Sequence, residues 1–305
     1  MGATFVKFKV LVCDPISDEG ILLMEEKGLE ITKAWDMPKT DLLKIIGEYH
    51  SVVVRSATKI TADLLSRAEK LKVIGRAGEG LDNIDVKKAA ELRVEVVNTP
   101  HIAATSVAEL TVGHLIALAR GIVEGTVSLR NGKWTKEELM GIEINGKTLG
   151  IVGCGSIGKT VERFAIALGM KVVGVDMCVY GQSVTLEEML PVADFITIHV
   201  PLTPHTKHMI SKREFDMMKQ GVMLIDCSRG GVVDQEALYN ALVSGKVKGA
   251  ALDVFEEEPP RDSKLLKLNN VHSTPHIGAQ THEAQTRASV LVARKIIEAL
   301  EKPPG

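Results

Sequence analysis

Cysteine is scarce in this chain. Four residues, Cys13, Cys154, Cys178 and Cys227, are scattered through it, and no two have C-x-x-C spacing. That argues against a zinc site or a disulfide framework, so no metal is expected, and it suits a reducing cytosol. Excess charge is also missing. Lys and Arg number 37 against 39 Asp and Glu, a net of -2, so nothing pushes the chain toward nucleic acid or a membrane surface. No apolar run reaches the roughly 20 residues that span a bilayer. No signal peptide is evident, because the N-terminus passes directly into the strand-like Phe8 to Cys13. A cytoplasmic location follows as an expectation. Internal repeats and low-complexity tracts are absent as well, and only Lys302 to Gly305 reads as a loose tail.

What is present is an ordinary globular composition, 45% hydrophobic and 25% charged, over 305 residues. That length is enough for two domains. The most informative stretch runs from Leu149 to Asp176, LGIVGCGSIGKTVERFAIALGMKVVGVD. Leu149 to Val152 reads as a buried parallel strand. Gly153, Gly155 and Gly158 then form G-x-G-x-x-G, and Lys159 to Leu168 has helical spacing before Gly169 ends it. A second strand, Lys171 to Val175, stops at Asp176. The first glycine permits the tight turn, the second lets a pyrophosphate approach the backbone, and the third lets helix and strand pack closely. The helix start attracts phosphate. Asp176 can accept hydrogen bonds from a ribose 2′-OH and would repel a 2′-phosphate, so NAD is favoured over NADP. At this point a βαβ unit without ligand, a flavin site and an S-adenosyl methionine site are the alternatives.

Before this unit, strands at Lys7 to Val12, Glu30 to Ala34, Ser51 to Arg55, Lys72 to Gly75 and Val94 to Val97 alternate with short helices. Thr40 is expected to cap one of those helices. The alternation predicts a parallel sheet with helices on both faces over the first ~100 residues. From Thr105 or Ser106 as cap, a long apolar helix Val107 to Arg120 leads into the second domain, with His114 reading as a core residue. Asn131 to Met140, with Trp134, reads as a projecting loop. Further on, strands are expected at Phe195 to Val200, Val222 to Asp226, Gly249 to Val254 and Val271 to Ser273, and a last helix at Thr281 to Leu300. The fold class is therefore α/β with two domains. A Rossmann-type nucleotide-binding domain, residues 100-280, is inserted into a smaller flavodoxin-like parallel-sheet domain, residues 1-99 plus 281-305, which would bind substrate. Ligands are expected in a cleft at the carboxyl ends of the strands.

A dinucleotide implies hydride transfer, and oxidising an alcohol needs a base for the hydroxyl proton and a cation for the substrate. Arg229, Glu258 and His276 each follow a predicted strand and are the candidates. Each also has an ordinary reading, as a surface ion-pair partner, a solvated acid in a Glu run, and a residue at a helix entrance. The surrounding segments decide between these. VRSATKIT (54–61), GRAGEGLDNIDV (75–86), NTP (98–100), SVAEL (106–110), NGKTLGIVGCGSIG (145–158), HVPLTPHT (199–206), DCSRGGVVD (226–234), ALDVFEEEP (251–259) and PHIGAQT (275–281) occur in order. Together they resemble the D-isomer-specific 2-hydroxyacid dehydrogenases nearly end to end.

The resemblance implies catalytic roles for Arg229, Glu258 and His276. His276 would take the C2 hydroxyl proton. Glu258 would fix its tautomer. Arg229 would fork onto the substrate carboxylate. It also implies cofactor contacts from Gly153, Gly155, Ser156, Ile157, Gly158, Asp176, His199, Thr206, Cys227 and Asp253. Backbone groups near Gly78 and Glu79 would hold the substrate carboxylate. Two departures stand out: many relatives have Arg at Ser156, and Glu79 stands where a small or apolar residue is common. Arg55 and Arg76 could bind the phosphate of a phosphorylated 2-hydroxy acid, the substrate class that the VRSATK and GRAG stretches resemble most; the alternative is that both are structural. Lys133, in the NGKW loop, is a further candidate cation for that phosphate, reaching across a dimer interface. The resemblance implies a homodimer, for which the apolar helix Val107 to Arg120 would need a partner surface, and a short form without the C-terminal regulatory domain that many such enzymes carry. A reductase of glyoxylate, hydroxypyruvate or D-lactate is the rival on the same scaffold, and an NAD-sensing corepressor-like binding protein is the rival of another class.

Overall fold

A computed structural model of the chain describes residues 8–176 and 181–302; Lys7 and Cys178 lie outside them. Two compact units result, one from Met1–Ala103 with Gln280–Gly305, the other Ala104–Ala279.

In the first unit the order is β1 (Lys9–Val12), α1 (Asp18–Glu26), β2 (Glu30–Lys33), α2 (Lys39–Ile45), β3 (Ser51–Val54), α3 (Ala62–Leu65), β4 (Val73–Arg76), α4 (Val86–Glu91) and β5 (Glu95–Asn98). The five strands are all parallel, in the order β2-β1-β3-β4-β5, the flavodoxin-like winding. Alternation along β1 shows how the sheet is covered. Leu11 joins Ile46, Leu64, Leu65 and Ala89 in one core. Val10 and Val12 point the other way, into a core with Ile21, Met24, Val292 and Ile296. The strands are thus buried on both faces, which is why they read as unbroken apolar runs such as SVVV.

The second unit contains α5 (Ala104–Arg120), α6 (Ile122–Arg130), β6 (Thr148–Val152), α7 (Ser156–Ala167), β7 (Lys171–Val175), β8 (Gln182–Val184), α8 (Leu186–Met189), β9 (Phe195–Ile198), α9 (Lys212–Met217), β10 (Val222–Asp226), α10 (Gln235–Val243), β11 (Val247–Leu252) and β12 (Val271–Ser273). The closing helix, α11 (His282–Glu301), returns to the first unit. Seven parallel strands run β12-β11-β10-β9-β6-β7-β8. The chain winds outward from β6 to β8, then crosses back to β9 on the other side of β6. That reversal is the topological switch point of a doubly wound sheet. Helices α8, α9 and α10 bury Met189, Phe215, Leu238 and Leu242 against Ile196, Leu224 and Leu252. Helices α5 and α7 pack on each other and on the strands.

Several local expectations change. Helix α5 starts at Ala104, so Thr105 and Ser106 lie inside its first turn instead of capping it. The chain turns through His101, at φ 65°, and enters the helix directly. Helix α2 starts at Lys39, with Pro38 at the cap position in place of Thr40. Helix α6 was not expected. It follows a left-handed Gly121 and buries none of its side chains, so its apolar residues gave no inward-facing stripe. Strand β11 starts at Val247, two residues early, and shifts register between Val222 and Met223 of β10. Cys13 and Cys227 are free and buried, and Cys154 is disulfide-bonded. Among the described residues no single helix is long and apolar enough to cross a membrane, and α5 with α6 forms a pair bent by 67°.

Candidate active site

The glycine turn links the end of β6 to the start of α7, beside the switch point. Gly153 has φ 95°, a left-handed conformation, and a Cβ there would stand 2.9 Å from the His199 carbonyl. A Cβ on Gly158 would run into the carbonyl of Gly153, so a larger residue would push helix from strand. Gly155, the N-cap of α7, is different: around its Cβ position there is nothing within 4 Å. Bare backbone therefore faces open space where the first-turn N–H groups of Ser156 and Ile157 begin a twelve-residue helix. A helix start of this kind attracts phosphate. Asp176 is exposed at the end of β7 with φ 91°. These residues fit a dinucleotide: an open cradle, donors, and an acid at the tip of the second strand.

The other candidates come from three neighbouring strands. Asp226 at the end of β10 pairs with Leu252 of β11, and Leu252 pairs with Ser273 of β12. The loops after these strands carry Arg229, Glu258 and His276. Ser228 donates to Asp226 Oδ1 through its backbone N–H at 2.9 Å and its hydroxyl at 2.6 Å, which fixes the exit of the chain toward Arg229. Arg229 is half-buried, and its Nη1 donates to the Ser228 carbonyl at 2.8 Å. A Cβ on Gly230 would overlap the carbonyl of Phe255, so only glycine lets the Arg229 and Glu258 loops approach this closely.

Glu258 and His276 meet. His276 Nδ1 lies 2.8 Å from Glu258 Oε2, and both side chains are about 40% exposed (42% and 38%). The other oxygen, Oε1, accepts from the Phe255 N–H at 3.2 Å. Burial pushes the Glu258 carboxyl up, but the hydrogen bond and charge of His276, the Phe255 N–H and the charge of Arg229 together hold it below its ordinary value. An ionised carboxylate only accepts hydrogen bonds, so Nδ1 carries the proton and a neutral ring keeps its lone pair on Nε2. His276 itself sits at φ 52°, a left-handed conformation that is unusual without glycine.

The remaining expected cofactor residues line the same edge of the sheet. His199 follows β9, and its Nε2 lies 3.0 Å from Thr197 Oγ1; burial pushes the imidazole down to about 3, which keeps it neutral. Thr206 caps a local turn: its hydroxyl donates to the Pro201 carbonyl at 2.6 Å and accepts from the Thr203 N–H at 2.8 Å. Cys227 is buried beside Asp253 and Asp226, and burial pushes its thiol up, with no reactive thiolate expected. Asp253 is buried, and both its oxygens accept hydrogen bonds from the Thr274–Gly278 loop.

In the first unit the expected substrate residues have protein partners. Arg55 Nη2 donates to Gln280 Oε1 at 2.8 Å, and its backbone N–H to Asp14 Oδ2 at 2.6 Å. Arg76 Nη1 donates to the Ala77 carbonyl at 3.3 Å, and its guanidinium lies against Gly78. Glu79 turns its carboxylate toward His101, whose N–H is 3.4 Å from Oε2 and whose Nδ1 is 3.8 Å from Oε1. The Glu79 carbonyl accepts from Asn98 Nδ2 at 2.6 Å.

The family model of the D-isomer-specific 2-hydroxyacid dehydrogenase NAD-binding domain matches residues 112–278. The chain belongs to the D-isomer-specific 2-hydroxyacid dehydrogenase family. It is 48% identical over 301 residues to D-3-phosphoglycerate dehydrogenase of Methanocaldococcus jannaschii, a match over 96% of this chain and 57% of that protein. It is also 48% identical over 303 residues to hydroxypyruvate reductase of Thermotoga maritima, over 96% of this chain and 99% of that one. Among solved structures it is similar to the TT0316 protein of Thermus thermophilus, with a TM-score of 0.90 at 35% identity, covering 98% of this chain and 99% of the other. The chain thus spans about half the length of the phosphoglycerate dehydrogenases it matches. Its inserted domain is the NAD-binding domain of this family, and NAD is the cofactor that domain takes.

Two contributors to this candidate site escaped the sequence. Gly230 is one of two adjacent glycines, and nothing marks which packs against Phe255. Thr274 precedes the Pro-His pair, and its bond to Asp253 spans 21 residues, a separation no local pattern reports.

Proposed function

We propose that this family member catalyses NAD-dependent oxidation of D-3-phosphoglycerate to 3-phosphohydroxypyruvate, the step that opens serine biosynthesis. The observation that carries the chemistry is the 2.8 Å contact between His276 Nδ1 and Glu258 Oε2. It leaves Nε2 as the base for the C2 hydroxyl proton. Bound NAD supplies the acceptor for the hydride leaving C2. As the C2–O bond becomes a carbonyl, His276 holds the proton at Nε2, and the carboxylate of Glu258 stabilises the resulting imidazolium. In the reverse direction His276 returns that proton. Arg229 forks onto the substrate carboxylate and C2 oxygen. Ser156 and Ile157, through their N–H groups, would hold the pyrophosphate at the turn of Gly153, Gly155 and Gly158, and Asp176 would hold the ribose. His199, Thr206, Cys227 and Asp253 complete the nucleotide contacts. The backbone N–H of Glu79 contributes to carboxylate binding, the expected Gly78 N–H being donated to the Arg76 carbonyl at 2.9 Å, and Arg55 and Arg76 supply cations for the phosphate.

One observation favours a second reading, reduction of unphosphorylated hydroxypyruvate: the Thermotoga hydroxypyruvate reductase matches at the same identity and over nearly its full length. The test is NADH formation across D-3-phosphoglycerate, D-glycerate and D-lactate. The highest kcat/KM should belong to the phosphorylated acid. Preference for glycerate would replace the first reading with the second.

A homodimer belongs to the same proposal. Helix α6 exposes Ile122, Val127 and Leu129 by half or more, and exposed apolar side chains in this number suit a self-complementary contact. Sedimentation should give twice the chain mass of 33.0 kDa, and Val127→Glu should return it to a monomer. A wild-type protein that sediments as a monomer would remove this part.

A further inference from the structure

The conformation of His276 requires a cause. A non-glycine residue at φ 52° persists only where its surroundings over-determine it. Here the surroundings are one buried carboxylate. Asp253 Oδ1 accepts from the Thr274 hydroxyl at 2.6 Å and the Ile277 N–H at 2.8 Å, and Oδ2 accepts from the Gly278 N–H at 2.8 Å. These three donors straddle His276, one before it and two after. Within the bracket the His276 N–H bonds the Thr274 carbonyl at 3.0 Å, and the Thr274 N–H bonds the Leu252 carbonyl at 3.0 Å. The loop is therefore held to β11 from both sides.

A further residue completes the chain. His114, buried on α5, places Nε2 at 3.1 Å from Thr274 Oγ1. The single hydroxyl proton of Thr274 is committed to Asp253, so Oγ1 accepts from His114 and the ring carries its proton on Nε2. Burial holds His114 below its ordinary value, so it stays neutral and keeps that one tautomer. The bonds then run in one direction, from His114 to Thr274 to Asp253, and each polarises the next. The hydroxyl of Thr274 cannot rotate to a different partner without leaving His114 or Asp253 unsatisfied.

We infer that Thr274 and His114, acting through Asp253, are positioning residues that hold His276 in its left-handed turn and so keep its imidazole on Glu258. The inference rests on the proposed role of His276 as base. Asp253 retains room for this task and for a cofactor contact, since Oδ2 accepts only one of the bonds described.

The experiment is a double-mutant cycle on the full chain. Thr274→Val keeps the shape and removes the hydroxyl, Thr274→Ser restores it, and each is combined with His276→Asn. Turnover is measured with the best 2-hydroxy acid of the substrate panel, and NADH affinity by fluorescence, well below each variant's Tm. Misplacement of a reacting group by about 1 Å costs up to about a hundredfold. Thr274→Val should therefore lower kcat about tenfold to a hundredfold, with NADH affinity within about twofold. Thr274→Ser should recover most of the loss. In the His276→Asn background Thr274→Val should cost nothing further, because the group it positions is gone. His114→Leu should show a smaller loss of the same kind, and His114→Gln, which can still donate, less again. Wild-type kcat in Thr274→Val, or a loss that persists undiminished in His276→Asn, overturns the clamp. Near-normal turnover of His276→Asn alone overturns the base assignment instead, so the two failures are distinguishable.

Discussion

Arg55 in the first unit and the Glu258–His276 pair in the second use their charges in opposite ways. In the first unit, charge is absorbed by the fold. Asp14 takes the N–H of Arg55 and both the N–H and hydroxyl of Thr58. Arg55 spends its guanidinium on Gln280 and the Pro15 carbonyl, and Glu79 turns to His101. In the second unit, Glu258 and His276 are half-exposed and paired with each other. The difference separates two kinds of readiness. A catalytic pair has to be set before substrate arrives, because reorganisation during reaction raises the barrier. A binding cation can be held by a weaker internal partner and exchange it for the ligand, at some loss of affinity.

The sharpest way to break this contrast is at the pair itself. His276→Asn should lower kcat by about a hundredfold to ten thousandfold while NADH still binds; stopped-flow and fluorescence titration measure the two quantities. The next effect lies at the end of β10. Burial pushes the Asp226 carboxyl up to about 6, so the native state holds its proton more tightly than the unfolded chain. The sign follows: this contribution to stability is complete below about pH 4, is lost as the pH rises through about 6, and stays lost above it. Asp226→Asn keeps an oxygen for Ser228 and should remove a penalty on the order of 2–3 kcal/mol at neutral pH. Urea unfolding of both proteins at pH 4 and pH 7 should show the gap only at pH 7. Glu258 has the opposite sign: its stabilisation is present above its unfolded value and is lost only as the pH falls through its depressed one.

In the first unit the expected effects are smaller and selective. Arg55→Ala should raise KM for the phosphorylated acid about tenfold, the scale of one hydrogen bond to a charged group, and leave glycerate nearly unchanged. Equal losses for both acids would make Arg55 purely structural. Asp176→Ala should reduce the preference for NAD over NADP by about tenfold or less. An unchanged ratio would mean that another group reads the ribose.

The α/β class was legible in the sequence because a doubly covered parallel strand must be apolar throughout. Val222–Asp226, buried at every position, coincides with its predicted span for that reason. The glycine turn was legible because its geometry is contiguous: strand, turn, helix and acid follow one another within 28 residues from Leu149 to Asp176. The meeting of His276 with Glu258 crosses 18 residues, and that of His114 with Thr274 crosses 160. Nothing in the residues around either position reports such a contact, and the family resemblance supplied names for the first but not the second. Helix α6 was illegible for another reason. Its apolar side chains find no core within the chain, so the usual link between periodicity and burial does not apply.

The left-handed backbone at His276 also decides how its chemistry can be dissected. Alanine in that place would meet a steric penalty on top of the missing ring, and the loop could relax into a shape the wild type never visits. Asparagine tolerates the same dihedral angles and carries an amide close to where the imidazole nitrogen stood. An alanine scan across this segment would therefore mix two losses and overstate the contribution of the side chain, whereas an asparagine control isolates it.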